Sequence, residues 1–246
     1  MPLPSLQRQM QITAQLDTVS DMIRLRKQQL EELDLLVKSQ FIEMFGDPVS
    51  NPMGWPVTPL SDFSDYYIGL TYKPSDEAES GIIVLRSGNI QNGKLDLTDL
   101  VRVDKVIPHK LIVQQNDILM CSRNGSERLV GKVALLDSLQ EEMTFGAFMT
   151  IIRSHHYRYL MAFFEQDAFR AQITSAKTTT INQITKAMLD SISIPLPPLA
   201  LQNRFAAFVE STDKSKFSIN QVVADLATLK QSMMQKYFGP PAQDLA

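Results

Sequence analysis

LPSLQRQMQITAQLDTVSDMIRLRKQQLEELDLLVKSQFIEMFG (residues 3–46) returns 193 positions later, without a gap, as LPPLALQNRFAAFVESTDKSKFSINQVVADLATLKQSMMQKYFG (residues 196–239). Leu3-Pro4 falls on Leu196-Pro197, Leu6 on Leu199, Gln9 on Gln202, Ala14 on Ala207 and Gln28 on Gln221. Leu33 and Leu36 fall on Leu226 and Leu229, Ser39 on Ser232, and Phe45-Gly46 on Phe238-Gly239. Two copies separated by text of another kind cannot form a stacked solenoid, which needs at least three contiguous units. They predict two matching long helices that bracket one globular module.

In the first copy, Pro4 sits where a helix opens, because its missing N–H would be unpaired there anyway. Apolar residues follow at Leu6, Met10, Leu16, Val19, Ile23, Leu30, Leu33, Val37 and Met44. From Leu16 onward they step by three, four or seven, the longer steps passing over Arg26 and Gln40. Arg24, Lys27, Glu31, Glu32 and Asp34 form a solvated face, and Gly46-Asp47-Pro48 stops the helix. Asp17–Ser20 offers a place for a break. The second copy opens at Pro197-Pro198, carries Leu199, Phe205, Val209, Ile219, Val223, Leu226, Met233 and Tyr237, and ends at Gly239-Pro240-Pro241. Lys216 and Lys230 interrupt its stripe. Two core helices of one domain would show a related pattern. The length, the alike ends and the gapless repeat favour an antiparallel coiled-coil pair with contact residues Leu16, Val19, Ile23, Leu30, Leu33, Val37, Val209, Val223, Leu226 and Met233.

Between the copies the texture changes to short strand-like runs punctuated by turn residues. Ile82–Leu85 predicts a buried strand, and Asn92-Gly93 a hairpin turn. Asp117–Arg123 and Leu129–Leu136 predict a strand pair across Asn124-Gly125-Ser126, Thr144–Arg153 another strand, Tyr157–Ile173 a helix, and Ile192–Ile194 a last short strand. The expected fold is α+β, a mostly-β module flanked by the paired helices. The expected segments are a first helical region over 1–46, the module over 47–195, a second helical region over 196–239 and a tail over 240–246.

The composition is ordinary for a soluble chain, 44% hydrophobic and 21% charged over 246 residues. Apolar runs are far too short to span a bilayer, and no signal peptide is apparent at the start. A single cysteine excludes an internal disulfide framework and suits a reducing cytoplasm; Cys121 ends an apolar run and reads as a packed thiol. The net charge of −3 argues mildly against nucleic acid, although local clustering matters more than the total.

No phosphate-cradling GxxxxGK[ST], nucleophile elbow or HExxH is present. His109, His155 and His156 with one cysteine give no zinc spacing, so no metal is expected. Asn51-Pro52 continues as Met53-Gly54, not as the Asn-Pro-Pro-aromatic loop of adenine methyltransferases, and no glycine-rich cofactor loop occurs. The expectation is a chain that catalyses nothing alone and holds no cofactor.

What the middle does offer is hydrogen-bonding side chains gathered in three stretches. They are Arg86, Ser87, Asn89, Gln91 and Asn92; then Arg123, Asn124, Ser126 and Arg128 with Lys132 close behind; then Lys177, Thr178, Thr179, Thr180, Asn182, Gln183 and Lys186. No carboxylate falls between Ala168 and Leu189. Arginine can grip guanine bidentately and asparagine adenine, while lysine, serine and threonine hold phosphates. Tyr72 beside Lys73 could stack or touch a phosphate. Against this stands the plain fact that turns are polar for their own reasons.

In order along the chain, several pieces resemble the specificity subunit of type I restriction–modification systems. They are Phe45-Gly46-Asp47-Pro48 with Gly54-Trp55, Leu85–Ile90 with Asn92–Leu95, Asp117-Ile118-Leu119 leading to Ser122–Ser126 and Val130-Gly131-Lys132, Thr180–Lys186, and Ile194–Leu199. The resemblance covers essentially the whole chain. It implies a target recognition domain that reads one half of a split double-stranded DNA target, on a helical spacer that docks methyltransferase subunits. Through these it would join a motor-nuclease subunit in the cytoplasm. S-adenosylmethionine would belong to the methyltransferase partner. Full-length members have two recognition domains where this chain has one, so the resemblance is to a half-sized form, expected to act as a homodimer on a palindromic target. A helix of roughly 28 residues at about 1.5 Å each would span on the order of 42 Å, a little over one turn of DNA. Two other readings are a detached recognition piece of a single-chain methyltransferase–nuclease and a coiled-coil adaptor with no DNA role.

Overall fold

The computed structural model describes residues 5–176 and 182–238. The chain opens on α1 (Leu6–Phe45) and enters the strands β1 (Val57–Pro59), β2 (Asp65–Ile68), β3 (Glu77–Leu85), β4 (Ile90–Gln91), β5 (Lys94–Leu95) and β6 (Arg102–Val103). It continues through β7 (Asp117–Cys121), β8 (Val133–Leu136), β9 (Met143–Phe145) and β10 (Met149–Arg153) to α2 (Tyr157–Phe164), α3 (Asp167–Ala176), α4 (Lys186–Asp190) and β11 (Ser193–Pro195), and closes on α5 (Leu199–Phe238). Two compact units result: one takes the helices up to Gln40 and from Ala207 onward, the other spans Phe41–Ala206. Among the described residues no helix is long and apolar enough to cross a membrane.

The helical unit is an antiparallel pair. Tyr237 Oη donates to Gln15 Oε1, and Lys216 Nζ reaches Asp34 Oδ1. Between those contacts α1 advances 19 residues while α5 retreats 21, as antiparallel pairing requires. All ten expected contact residues are buried or half-buried, and they step by three, four or multiples of seven as a coiled-coil seam does, whereas Arg26 is exposed. Each helix has 40 residues, on the order of 60 Å, so the 28-residue figure was too short. No break occurs at Asp17–Ser20, the place the sequence offered for one: Thr18 and Ser20 turn their hydroxyls onto the carbonyls of Ala14 and Leu16, and the helix runs on.

α1 ends as its sequence demands. Gly46 has φ +80°, and a Cβ there would lie 2.8 Å from Pro52, so only glycine fits. The Trp55 indole N–H caps the freed Phe45 carbonyl at 2.9 Å, and Asn51 Oδ1 fixes Trp55 by accepting from its backbone N–H.

In the second unit, six strands run in the order β2-β10-β7-β8-β5-β4, three in the order β6-β3-β9, and β1 pairs with β11. β7 is buried along its whole length, as its unbroken apolar run predicts for a central strand. Ile83, Leu85, Leu119, Phe145 and Ile151 share one core. Asp117 opens β7 fully buried, and the Arg153 guanidinium grips its two oxygens at 2.7 Å each. Two sequence expectations needed division. The single strand over 144–153 is β9 and β10, parted at Gly146, where Gly69 passes so close that a Cβ would lie 2.2 Å from the Gly146 carbonyl. The single helix over 157–173 is α2 and α3, parted at Glu165-Gln166, which lets Phe163, Phe164 and Phe169 pack together.

A second aromatic group closes the base of this unit. Five ring pairs among Phe41, Phe45, Tyr159 and Phe205 have centroids 5.0–5.7 Å apart, so each ring has at least two partners. Gln202, 2% exposed, accepts from His156 Nδ1 and donates to the Pro197 carbonyl. His156 is therefore a structural residue at the start of α2.

Candidate nucleic-acid interface

Strand direction decides which loops can meet. β2 and β7 both run antiparallel to β10, so both end where β10 begins. β3 and β9 run parallel and end together, with the Gly146 N–H bonded to the Leu85 carbonyl. The loops after β2, β3, β7 and β9 consequently open on one end of the sheets. The segment entering α4 joins them, since the Ile184 N–H donates to Ser122 O at 2.7 Å and Arg123 bridges to Gln183.

The three polar stretches of the sequence interlock here through Asn124. Its Nδ2 donates to Ser87 Oγ at 3.2 Å, its Oδ1 accepts from the Ser126 N–H, and its own N–H donates to the Asn182 carbonyl. Asn182 Nδ2 returns a bond to the Gly125 carbonyl. Arg123 is exposed, and its guanidinium lies 5.2 Å from the centre of the Phe148 ring. Tyr72 borders the group: its ring lies 4.0 Å from where a Gly146 Cβ would be, and burial pushes its hydroxyl pKa up while neighbouring Arg86 pulls it back. Beside these loops lies a shallow cavity of about 250 Å³, lined by Arg128, Arg170, Thr174, Asn182 and Gln183 over Val130, Phe169 and Ile184.

Other expected residues are placed differently. Asn89 is 2% exposed; its Oδ1 accepts from the Arg86 N–H and its Nδ2 donates to the carbonyls of Asp96 and Asp99, so the side chain is consumed in holding the turn. Arg86 is ion-paired with Asp99 at 3.0 Å, the arginine side chain partly exposed and the aspartate largely so. Asn92 takes the left-handed conformation at the tip of the β4–β5 hairpin, whose Gly93 carbonyl accepts from Leu135; these contacts tie it to β8 and not to Asn124. Lys132 is half-buried with its ammonium on the Ile90 carbonyl. Lys73 is exposed beside Asp76, and Ser126, Arg128 and Lys186 are exposed. Lys177, Thr178, Thr179 and Thr180 lie outside the described residues. Cys121 is buried, and burial pushes its thiol pKa up, which removes it as a nucleophile. Among the described residues no group of three or more His, Cys, Asp or Glu could hold a metal.

Sequence reasoning missed Phe148 and Arg170. Phe148 follows an apolar run and so looks like core, yet it is 56% exposed. Arg170 sits in a helical pattern, and only the fold turns it toward the cavity, where it also donates to the Val130 carbonyl.

A family model described as the type I restriction modification DNA specificity domain matches residues 52–230. The specificity subunit of the type I restriction enzyme EcoKI from Escherichia coli (strain K12) is 31% identical over 196 residues, covering 74% of this chain and 42% of the relative. A putative type I restriction enzyme specificity subunit, MjaX, from Methanocaldococcus jannaschii is 28% identical over 200 residues, covering 76% of this chain and 46% of the relative. This chain thus spans under half the length of those relatives. Among solved structures, a chain from a study of assembly and conformational transition in the type I R-M system superposes with a TM-score of 0.63 at 21% identity, covering 96% of this chain and 60% of that one. The HsdS subunit from Thermoanaerobacter tengcongensis gives 0.58 at 21%, covering 97% and 60%. At such identities the superpositions speak for the fold.

Proposed function

The chain belongs to the type I restriction modification DNA specificity family, and from that premise we propose that it is the DNA-reading, non-catalytic subunit of a cytoplasmic restriction–modification complex. One observation carries the reading. Loops from four distant stretches open on one end of the sheets and gather Tyr72, Ser87, Arg123, Asn124, Asn182 and Gln183, side chains suited to base edges and phosphates. With one such module, the chain reads one half of a bipartite double-stranded target.

The helical unit is the docking part. Its seam is satisfied internally, but Met22, Leu25 and Leu36 share one exposed face of α1, and Val222 and Leu229 one of α5, each 41–53% exposed. Apolar side chains in rows off the seam suit a helical partner, and methyltransferase subunits are that partner; they bring S-adenosylmethionine and connect to the motor-nuclease subunit. A second copy of the chain supplies the other half-site. Leu6, Met10, Met234 and Phe238 stand 45–73% exposed on the last turns of the pair, an apolar end that a dimer can cover.

Co-expression with the methyltransferase partner, followed by mapping of methylated adenines across the host genome, tests the reading. A split, palindromic motif is expected. A soluble, assembled complex that methylates no defined sequence would overturn it. Sedimentation of a stable monomer at micromolar concentration, even with target DNA, would remove the homodimer.

A further inference from the structure

Phe148 combines three properties that do not belong together in an ordinary surface residue. Its ring is 56% exposed although Gly146 and Met149 beside it are buried. Its backbone is pinned, because its carbonyl accepts from the Ser122 N–H, the Ser122 hydroxyl and the Arg123 N–H, all within 2.9–3.0 Å. And the residue that pins it also covers it, since the Arg123 guanidinium lies over its face at 5.2 Å. A lone exposed phenylalanine needs no explanation. One whose main chain is locked to the loop that bears the covering arginine has a fixed relation to that arginine.

Among the described residues no carboxylate pairs with Arg123, so its guanidinium is held by the ring alone and keeps its donors for something else. An arginine side chain has four rotatable bonds, and a bidentate grip on the O6 and N7 of guanine requires its plane to be set in advance. A ring beneath the guanidinium supplies that setting without using any of its N–H groups, which a carboxylate would consume.

We propose that Phe148 is the positioning residue for Arg123, and that together they form one reading element directed at a guanine in the major groove. This rests on the DNA-reading function above and deepens it by naming a base and the side chains that select it.

The test is methylation mapping with the complex carrying Arg123→Lys, Phe148→Leu or Phe148→Tyr. Arg123→Lys is expected to relax one G·C position of the motif by about five- to a hundredfold, the worth of a bidentate contact. Phe148→Leu keeps the apolar body and removes the π face; it should relax the same position by about two- to fivefold, the worth of an exposed cation–π contact. Phe148→Tyr should read as the parent. If Phe148→Leu leaves that position as strict as the parent while Arg123→Lys relaxes it, the positioning role is overturned. If Arg123→Lys changes no G·C position, the whole element is overturned. The failure of the parent complex to yield any motif would instead sink the DNA-reading function itself, so the two failures are told apart.

Discussion

Phe45 and Phe238 hold equivalent places in the two copies of the repeat, each followed by a glycine in the sequence, yet the first is 3% exposed and the second 62%. Phe41 and Met234 are likewise equivalent, at 0% and 45%. Gln202 is sealed beneath His156, whereas its counterpart Gln9 is exposed. Sequence therefore specifies a long helix in both copies, while burial depends on what the chain places around each one. At Phe45 it places Tyr159 and Phe205; at Phe238 it places solvent.

The sharpest way to break this comparison is to truncate the equivalent phenylalanines one at a time. Phe45→Ala removes a ring from a closed aromatic cluster and should cost about 3–5 kcal/mol. Phe238→Ala removes a ring exposed in the single chain and replaces it with a better helix former, so at concentrations that keep the chain monomeric its effect should stay within about 0.5 kcal/mol. Urea denaturation of the two variants and the parent decides; similar losses in both would mean that the two ends are alike in solution. The glutamines give a smaller contrast. Gln202→Ala strands the His156 N–H and the Pro197 carbonyl in a buried place and should cost about 1–3 kcal/mol, against a change within about 0.5 kcal/mol for Gln9→Ala.

The same division explains what could be read ahead of the structure. Helix positions, the glycine stop at Gly46 and the strand-rich middle were legible because they depend on local spacing and turn chemistry, while the stop expected at Gly239 lies outside the described residues. The grouping of Ser87 with Asn124 and Asn182 was legible only as three separate polar stretches, since strand order brings them together. Asn89 was read as a contact residue, and Phe148 was passed over. A polar residue in a turn looks free for a ligand, and an aromatic after an apolar run looks buried, but Asn89 spends its amide on three backbone partners and Phe148 is left outside. Division of the expected strand at Gly146 follows from a backbone approach by Gly69, 77 positions earlier, which no local pattern records.

The smallest effect lies inside the seam, where the copies differ by substitution and not by surroundings. Ile23 in α1 corresponds to Lys216 in α5. Lys216 keeps its side chain 18% exposed and its ammonium on Asp34, which is itself 65% exposed. A half-open pair of this kind is worth little, because solvent screens it and two long side chains lose freedom in forming it. Lys216→Ile makes the second copy match the first at this position and replaces the pair with apolar contact. The expected change lies between nothing and a gain of about 1 kcal/mol, with less dependence on salt than the parent. A loss above about 1 kcal/mol, measured by the same urea titration at low and high salt, would mean that the lysine and its aspartate fix the register of the helices, and that the difference between the copies at this layer is itself a structural device.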